Sequence, residues 1–385
     1  MKKQYFIYLL VLLVLFCIYR LINKYKNNLY LNSLETLKYR NSYILNNGPY
    51  ILKNGTKIYE YNPSIYQTTN GDIISAVRLT GHYSNERHNK CNILLKKYTY
   101  NRNVEDNFSI FPEPIVKKCS HSIIRNHKTN EVKFVPYMDK NIKDIEDILS
   151  KFLGNEDPRL FTFNNKDWVY YHYLGRSTLN KNKCSINITI SPLNNLENSI
   201  ILYTDNQKKI EKNWMPFEFN NELYFEYSIH PRVILKAELD NNKIPTGYCP
   251  KVYKTNYKNI LKNRHFGCGS PCIKIKLNGK YYFIGIAHTR GKVKFITVRK
   301  NFFYIFRAEP PFDILWCSPE INMLNSNILI DFATSLIVKN SKNSDKIEDY
   351  TIFVSFGVED CYGVVNEYNL TDILNLNNNE LSFLS

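Results

Sequence analysis

The sequence predicts an all-β fold, a five-bladed β-propeller preceded by an N-terminal transmembrane helix and a short stem. Three observations support this prediction. The chain contains many short runs of β-branched and aromatic residues, a signature recurs before several of these runs, and the N-terminus is strongly apolar. With 385 residues, of which 44% are hydrophobic, the chain is long enough to bury a sizeable core.

The strand-like segments include "DIISAVRL", "WVYYHYLG", "SINITISPL", "LYFEYSI", "YYFIGIAH" and "DYTIFVSFG". Many short strands at even spacing indicate a sandwich, a barrel or a propeller, and internal repeats distinguish these. A loose signature with Pro, Gly or Asn precedes a strand, a turn and a strand at "YNPSI", "EDPRLF", "EKNWMPF", "GCGSPCIKI" and "SFGVEDCYG". The five signatures predict five blades, with each signature at the start or end of an inner strand. One amphipathic helix is predicted at residues 141–152.

The N-terminal segment predicts a signal anchor over residues 1–24, followed by a stem over 25–50 and the propeller domain over 51–385. An apolar run from Tyr5 to Tyr19 is flanked by Lys2 and Lys3 before it and by Arg20 after it. The run is short for a bilayer but sufficient for a thin one. A cleaved signal peptide is the alternative, but the segment lacks a small-residue cleavage site. We therefore expect a single-pass membrane protein of type II with the propeller in the secretory lumen; a viral or a host membrane is compatible with this.

The formal net charge of +16 is compatible with several anionic partners. Because the lysines are scattered along the whole length rather than clustered, we predict no nucleic-acid binding, whereas a phosphate or a sugar nucleotide remains compatible with the charge. The nine cysteines allow disulfides without requiring them. Cys268 and Cys272 lack a matching pair at zinc-site spacing, so no metal and no cofactor are predicted.

The ordered signatures resemble those of the five-bladed β-propellers of glycoside-hydrolase family 130, the β-mannoside phosphorylases, and of the related β-1,2-mannosyltransferases. The resemblance spans roughly residues 55–365. The matching positions, in blade order, are Asn62, Pro63 and Arg78; Glu156, Asp157, Pro158 and Arg159; Glu211, Lys212, Trp214 and Phe217; Gly267, Gly269, Pro271 and, more loosely, His288; and Phe356, Gly357 and Asp360.

The resemblance implies that Asp157 is the general acid of glycosyl transfer, whereas Asp157 and Pro158 alone would suggest a strand-entry turn. Glu156 would raise the pKa of Asp157 and Arg159 would lower it, so the sequence leaves the net direction open. Asn62 stands where hydrolytic relatives carry a carboxylate, which argues against hydrolysis because an amide cannot take a proton from water. The predicted substrate-binding residues are Asn62, Arg78, Glu156, Arg159, Glu211, Lys212, Trp214, Arg264, His288, Arg290 and Asp360. Trp214 and Tyr282 are candidates for stacking on sugar faces or for the core.

The expected phosphate site departs from the family pattern, because the strand "CSINITIS" carries no Arg and Arg264 replaces an expected lysine. His288, Arg290, Arg264 and Arg78 would still form a cationic pocket for phosphate or for the diphosphate of a sugar nucleotide. Together with the anchor, this favours a membrane-anchored glycosyltransferase acting on mannose-type glycans. The alternatives are a β-mannoside phosphorylase, a hydrolase, and a carbohydrate-binding or structural propeller without catalysis.

Overall fold

Five sheets, antiparallel except for one short parallel pair, make up the computed structural model of the chain. It describes residues 12–14, 16–18, 35–45, 50–51, 57–80, 120–136, 154–176, 184–255, 265–293, 296–324, 330–342 and 344–384. The predicted helix at 141–152 lies outside these residues. Because the innermost strands of the sheets contact one another around a common axis, the sheets are the blades of a propeller, and the predicted five-bladed all-β fold is confirmed.

The strand bounds are as follows, given blade by blade. Blade 1 contains β3 (Tyr50–Ile51), β4 (Lys57–Gln67), β5 (Ile73–Thr80), β6 (Ser120–Asn126) and β7 (Val132–Phe134). Blade 2 contains β8 (Asn155–Phe163), β9 (Lys166–Arg176), β10 (Cys184–Pro192) and β11 (Ile200–Leu202). Blade 3 contains β12 (Met215–Phe219), β13 (Glu222–Ser228), β14 (Arg232–Lys236) and β15 (Lys251–Thr255).

Blade 4 contains β16 (His265–Cys268), β17 (Ile273–Leu277), β18 (Lys280–Val293), β19 (Ile296–Arg307), β20 (Ile314–Cys317), β21 (Ile321–Asn322) and β1 (Glu35–Thr36). Blade 5 contains β22 (Asp331–Asn340), β23 (Tyr350–Val358), β24 (Tyr362–Asn369) and β2 (Asn41–Ile44). A short helix, Leu370–Leu374, and a 3₁₀ segment, Asn375–Leu384, follow the last strand.

The ring is closed by the N-terminal part of the chain. Strand β2 pairs antiparallel with β24 and is the outermost strand of blade 5, while β1 pairs parallel with β21 of blade 4. The sheets therefore extend into the segment 25–50 that the sequence assigned to a stem. At the extreme N-terminus, residues 12–14 and 16–18 are helical, and the rest of the predicted anchor lies outside the described residues. Within the described part of the chain, no helix is both long and apolar enough to cross a membrane.

Asparagine-rich hairpins connect the inner strand of a blade to its second strand. Asn164–Asn165 in blade 2, Asn220–Asn221 in blade 3 and Asn278–Gly279 in blade 4 all have positive φ at both turn positions. This is the geometry of a type I′ turn, whose twist matches that of the flanking strands and which Asn and Gly tolerate best. These turns fix the register of each inner strand against its neighbour.

Aromatic side chains fill the spaces between blades. The ring of Phe217 in blade 3 lies 5.1 Å from that of Phe283 and 5.4 Å from that of Phe306, both in blade 4. A second core joins blades 4 and 5 and includes Trp316 and Phe356, both fully buried. Edge-to-face and stacked rings of this kind hold neighbouring sheets in one orientation, so the inner strands present their ends to a common centre.

Candidate active site at the propeller centre

Three residues with left-handed backbone occupy equivalent places on successive inner strands. Asn62 in β4, Asp157 in β8 and Asn213 just before β12 have φ of 51°, 48° and 61°. Asn and Asp are the non-glycine residues that adopt this conformation most readily. In β4 and β8 the strand register shifts at this point, so the backbone bulges and directs the side chain toward the axis.

The fourth and fifth signatures differ in placement. Ser270 lies between β16 and β17, which together form the inner edge of blade 4. Gly357 lies on β23, the second strand of blade 5, because the inner strand is β22. The prediction that all five signatures mark inner strands is therefore wrong for blade 5, although Gly357 still reaches the centre.

Asp157 is a buried carboxylate held by two donors from blade 1. Nδ2 of Asn62 donates to Oδ1 of Asp157 at 2.8 Å, and Nη1 of Arg78 donates to the same oxygen at 3.2 Å. Since a carboxylate only accepts, this contact fixes which end of the Asn62 amide faces Asp157. Asn62 thus binds the proposed catalytic residue directly, and its own Oδ1 has no hydrogen-bond partner among the described residues.

A chain of ion pairs links Asp157 to blade 3. Nη2 of Arg78 lies 2.6 Å from Oε1 of Glu156, and Nζ of Lys212 lies 2.8 Å from Oε2 of the same carboxylate. The guanidinium of Arg78 also lies 5.2 Å above the ring centre of Tyr61. Arg78 therefore bridges both acidic residues of the "EDPR" signature, and Lys212 joins the same chain of contacts through Glu156.

The charges around Asp157 decide the direction that the sequence left open. Burial on its own raises the pKa of this carboxyl group, but the positive charges of Arg78 and Arg159 outweigh it and hold the pKa well below its usual range. Asp157 is therefore ionised at neutral pH. It is in the form that accepts a hydrogen bond or a proton, but the neighbouring cations make it a weak base, and it can donate a proton only after taking one up.

His172 is a site residue that the sequence interpretation missed. It lies on β9 opposite Glu156, and the backbone N–H of Asn213 donates to its Nε2 at 3.0 Å. Because Nε2 is an acceptor, the neutral ring carries its proton on Nδ1, which faces Oδ2 of Asp157 at 3.9 Å. Burial lowers the pKa of His172 well below its ordinary value, so the ring is neutral. The Asn164–Asn165 turn, which sets the β8–β9 register, was the sequence signal for this pairing.

Arg159 was predicted to bind substrate, and the structure corrects this. Its side chain is fully buried, Nε donates to the carbonyl of Gly269 at 2.9 Å, and Nη1 donates to the carbonyl of Asp157 at 2.9 Å. Its guanidinium also lies 5.3 Å from the ring centre of Phe332 in blade 5. Arg159 therefore ties blades 2, 4 and 5 together beneath the site, because a guanidinium offers several donors in fixed directions.

Glu211 and Trp214 were also predicted to bind substrate, and both are structural. Oε1 of Glu211 accepts from the backbone N–H of Lys208 at 2.7 Å and from the hydroxyl of Tyr227 at 3.2 Å, and Oε2 accepts from Nε1 of Trp214 at 3.1 Å. Both side chains are buried. Tyr282, a candidate for stacking, is buried near the start of β18, where its hydroxyl donates to the carbonyl of Phe383.

His288 lies against the inner edge of blade 4. A Cβ on Gly267 would lie 2.5 Å from Cε1 of His288, so a side chain at this position would displace the imidazole. The imidazole packs edge to face on Phe332, with ring centres 4.8 Å apart. Burial, with Arg299 and Arg159 adding to it, lowers the pKa of His288 to about 3. The prediction that His288 contributes positive charge to a phosphate pocket is therefore wrong near neutral pH, although Nε2 can still donate or accept a hydrogen bond.

Three predicted substrate-binding residues remain: Asp360, Arg290 and Arg264. Asp360 lies in the hairpin after β23 and contributes to raising the pKa of Arg78, so it is within electrostatic reach of the site. Arg290 is exposed on β18, next to Arg299 of β19 in the pairing register. Arg264 lies outside the described residues.

No cluster of three His, Cys, Asp or Glu side chains with metal-site geometry occurs within the described ranges.

Gly357 is where blade 5 approaches the catalytic cluster. A Cβ at this position would lie 1.8 Å from Oδ1 of Asn62 and 2.9 Å from its backbone nitrogen. Any side chain on Gly357 must therefore displace Asn62, which holds Asp157. The glycine recognised in the fifth signature is required for this close contact rather than for a turn.

The fold has solved counterparts. No sequence profile of a protein family matches the chain, and no curated protein is similar to it in sequence. MPT-1, a GDP-Man-dependent mannosyltransferase from Leishmania mexicana, superposes with a TM-score of 0.50 at 10% identity, over 90% of this chain and 94% of that one. The two chains share the propeller fold.

Two further propellers are similar at slightly lower scores. MPT-4, a mannose phosphorylase from Leishmania mexicana in complex with phosphate ion, has a TM-score of 0.49 at 11% identity and covers 91% of this chain and 93% of its own. The β-1,2-mannobiose phosphorylase from Listeria innocua has a TM-score of 0.49 at 13% identity and covers 87% of this chain and 99% of its own. At these identities the similarity concerns the propeller fold alone.

Proposed function

We propose that the protein is a membrane-anchored glycosyltransferase that acts on mannose-type glycans, with Asp157 as the residue that exchanges a proton with the glycan. The observation that carries the proposal is the ionised Asp157 carboxylate, which Asn62 and Arg78 hold at the centre of the ring. The mannosyltransferase and phosphorylases that share the fold supply the substrate class, since they act on mannose-containing substrates by name.

The chemistry follows from the charge of Asp157. In the synthetic direction the bond between C1 of the donor sugar and a phosphate oxygen breaks, and the electron pair leaves with the phosphate. The bond between C1 and the acceptor hydroxyl oxygen forms, and the carboxylate of Asp157 takes the hydroxyl proton. In the reverse direction the protonated residue returns that proton to the glycosidic oxygen, which is the general-acid role implied by the family resemblance.

Two features support transfer over hydrolysis. Hydrolysis with two carboxylates requires a second free one to activate water or attack the sugar. The Glu211 carboxylate in blade 3 already accepts hydrogen bonds from three protein donors, so it is not a free second carboxylate. Blade 1 contributes the amide of Asn62 rather than a carboxylate. A phosphate-bearing donor needs no such second base, because its leaving group departs as an anion.

Membrane anchorage is part of the proposal and is supported by the N-terminal sequence. The apolar run flanked by lysines is typical of a signal anchor, and residues 12–14 and 16–18 within it are helical. Cys361 is disulfide-bonded, which is typical of proteins in oxidising compartments such as the secretory lumen. Alkaline carbonate extraction of cell membranes tests this: release of the full-length chain into the soluble fraction would contradict the anchor.

Activity is tested on the full-length chain with a mannoside acceptor and either GDP-mannose or mannose 1-phosphate as donor. We expect turnover with one of these donors, and we expect Asp157→Asn to lower kcat by about a hundredfold to ten-thousandfold. Asn suits the left-handed backbone at this position, so the variant should fold. Asp205→Asn, an exposed change in blade 2, is the matched control and should leave kcat unchanged.

The phosphorylase alternative predicts different substrates and a different product. It predicts release of mannose 1-phosphate from a β-mannoside and inorganic phosphate, with GDP-mannose inactive. If no donor is turned over while the Asp157→Asn variant still binds mannosides, the propeller is a carbohydrate-binding protein and the enzymatic proposal is wrong.

A further inference from the structure

A second concave site lies between blades 3 and 4. It is a pocket of about 590 Å³. Its lining comes from the ends of β13 and β16, from β14 and β15, and from the loop before β12. The polar and aromatic residues that matter for its chemistry are Lys208, Tyr227, His230, Lys251, Tyr253, Lys254, His265 and Phe266. A volume of this size fits a nucleotide-sized ligand.

The pocket carries unbalanced positive charge. Its lining includes Lys208, Lys251 and Lys254 and contains no Asp or Glu. Within the described part of the chain none of these three lysines forms an ion pair with a carboxylate. The ammonium groups of Lys208 and Lys251 instead lie 5.3 Å and 5.5 Å from the centre of the same ring, that of Tyr227. Two like charges gathered at one ring attract an anion, and lysine is a common phosphate ligand.

Aromatic surface forms another part of the wall. Phe266 packs edge to face with His230, with ring centres 6.1 Å apart, and Tyr253 contributes a second partly exposed ring. Planar ligands pack on such surfaces. Phosphate-binding cations and an aromatic wall in one pocket match a ligand that combines phosphates with a planar base.

Hydrogen bonds and neighbouring residues in the chain connect the pocket to the catalytic cluster. The backbone N–H of Lys208 and the hydroxyl of Tyr227 both donate to Glu211, and the next residue, Lys212, pairs with Glu156. On the opposite wall, Phe266 precedes Gly267, which lies directly against His288. The pocket is therefore linked to the catalytic cluster through Glu211 and Lys212 on one wall and through Phe266 and Gly267 on the other.

We propose that this pocket binds the nucleoside diphosphate part of a sugar-nucleotide donor, with Lys208, Lys251 and Lys254 around the phosphates and Phe266, His230 and Tyr253 against the base. The identity of the ligand as a donor rests on the proposed glycosyl transfer. Binding of the nucleotide itself does not require turnover.

The test is direct binding of GDP, UDP and inorganic pyrophosphate to the full-length chain by isothermal titration calorimetry. We expect the combined variant Lys251→Ala and Lys254→Ala to weaken nucleotide binding at least tenfold. Lys274→Ala with Lys280→Ala removes the same two charges from the exposed β17–β18 hairpin and should leave the affinity unchanged. We also expect both nucleotides to bind more tightly than pyrophosphate, because only they can use the aromatic wall.

Three outcomes overturn the inference: unchanged nucleotide affinity in the pocket variant, an equal loss in the hairpin variant, or pyrophosphate binding as tightly as the nucleotides. Asp157→Asn should retain nucleotide binding. If the wild-type chain binds GDP or UDP through these lysines but transfers no sugar, the pocket assignment stands and the proposed function is wrong.

Discussion

His172 points its Nδ1 at Oδ2 of Asp157 across 3.9 Å, and the N–H of Asn213 fixes the opposite ring nitrogen as an acceptor. The imidazole is neutral and buried, so it acts on Asp157 through its N–H dipole rather than through a charge. This makes His172 a positioning residue for the proposed proton acceptor, and it can be tested with two substitutions that divide its functions.

The first prediction compares His172→Gln with His172→Asn. Gln retains an acceptor for Asn213 but removes the donor facing Asp157, whereas Asn retains a donor near Nδ1. We expect His172→Gln to lower kcat by about tenfold or more. We also expect it to move the acidic limb of kcat/KM to higher pH, because an Asp157 anion without this dipole takes up a proton more readily. Equal pH profiles for both variants would assign His172 a purely structural role.

The second prediction concerns Glu211, whose carboxylate accepts three hydrogen bonds. Glu211→Gln replaces one accepting oxygen by a donor, so we expect the free energy of unfolding to fall by about 1–3 kcal/mol. Urea unfolding measures this. Because the residue does not act on substrate, kcat of the folded variant should remain close to wild type. A large loss of kcat without a loss of stability would support the substrate-binding role that the sequence predicts for Glu211.

The third prediction uses the contact between Gly357 and Asn62. Gly357→Ala puts a methyl group in the position of the Asn62 side chain, so Asn62 must move and Asp157 loses a donor. We expect kcat to fall by about a hundredfold, since small displacements at a reacting group have effects of that order. Gly71→Ala is the control: its φ is 86° and nothing lies near the added methyl, so it should cost only about 1 kcal/mol of stability and no activity.

The fourth prediction is a pH dependence of stability. The pKa of His288 is lowered to about 3 in the folded chain, whereas an unfolded histidine titrates near about 6.5. Between these values the unfolded state binds more protons, so stability decreases as the pH falls from about 6.5 toward 3, by up to about 1.4 kcal/mol per pH unit. His288→Asn should reduce the loss of thermal stability between pH 7 and pH 4.5. His230→Asn, an exposed change, should behave as wild type.

The sequence predicted the fold because its recurrent marks reflect local backbone chemistry. Asn62, Asp157 and Asn213 were recognised as recurrent marks, and they share the left-handed conformation that Asn and Asp tolerate. Arg78, Glu156 and Lys212 were placed with Asp157 and form one chain of contacts with it. The inner strand of blade 5, Asp331–Asn340, carries no such mark, which is why the fifth signature was assigned to the wrong strand.

The remaining errors concern side chains whose hydrogen-bond partners cannot be deduced from the residue type. Arg159 and Trp214 look like ligand-binding residues, yet Arg159 donates to Gly269 in another blade and Trp214 donates to a glutamate three residues away. His172 was missed because its role depends on the pairing of β8 with β9 and on a backbone N–H from blade 3. Such relationships exist only once the blades are assembled.

The pairing of β2 with β24 has a consequence for how the protein is made. Asn41–Ile44 is synthesised well before its partner, Tyr362–Asn369. The ring therefore cannot be completed until the last blade has been made, and strand β2 stays unpaired until then. If the preceding segment is embedded in a bilayer, the unpaired β2 strand is held at the membrane surface. In the finished protein, any mechanical force between the anchor and the domain acts first on the β2–β24 pair.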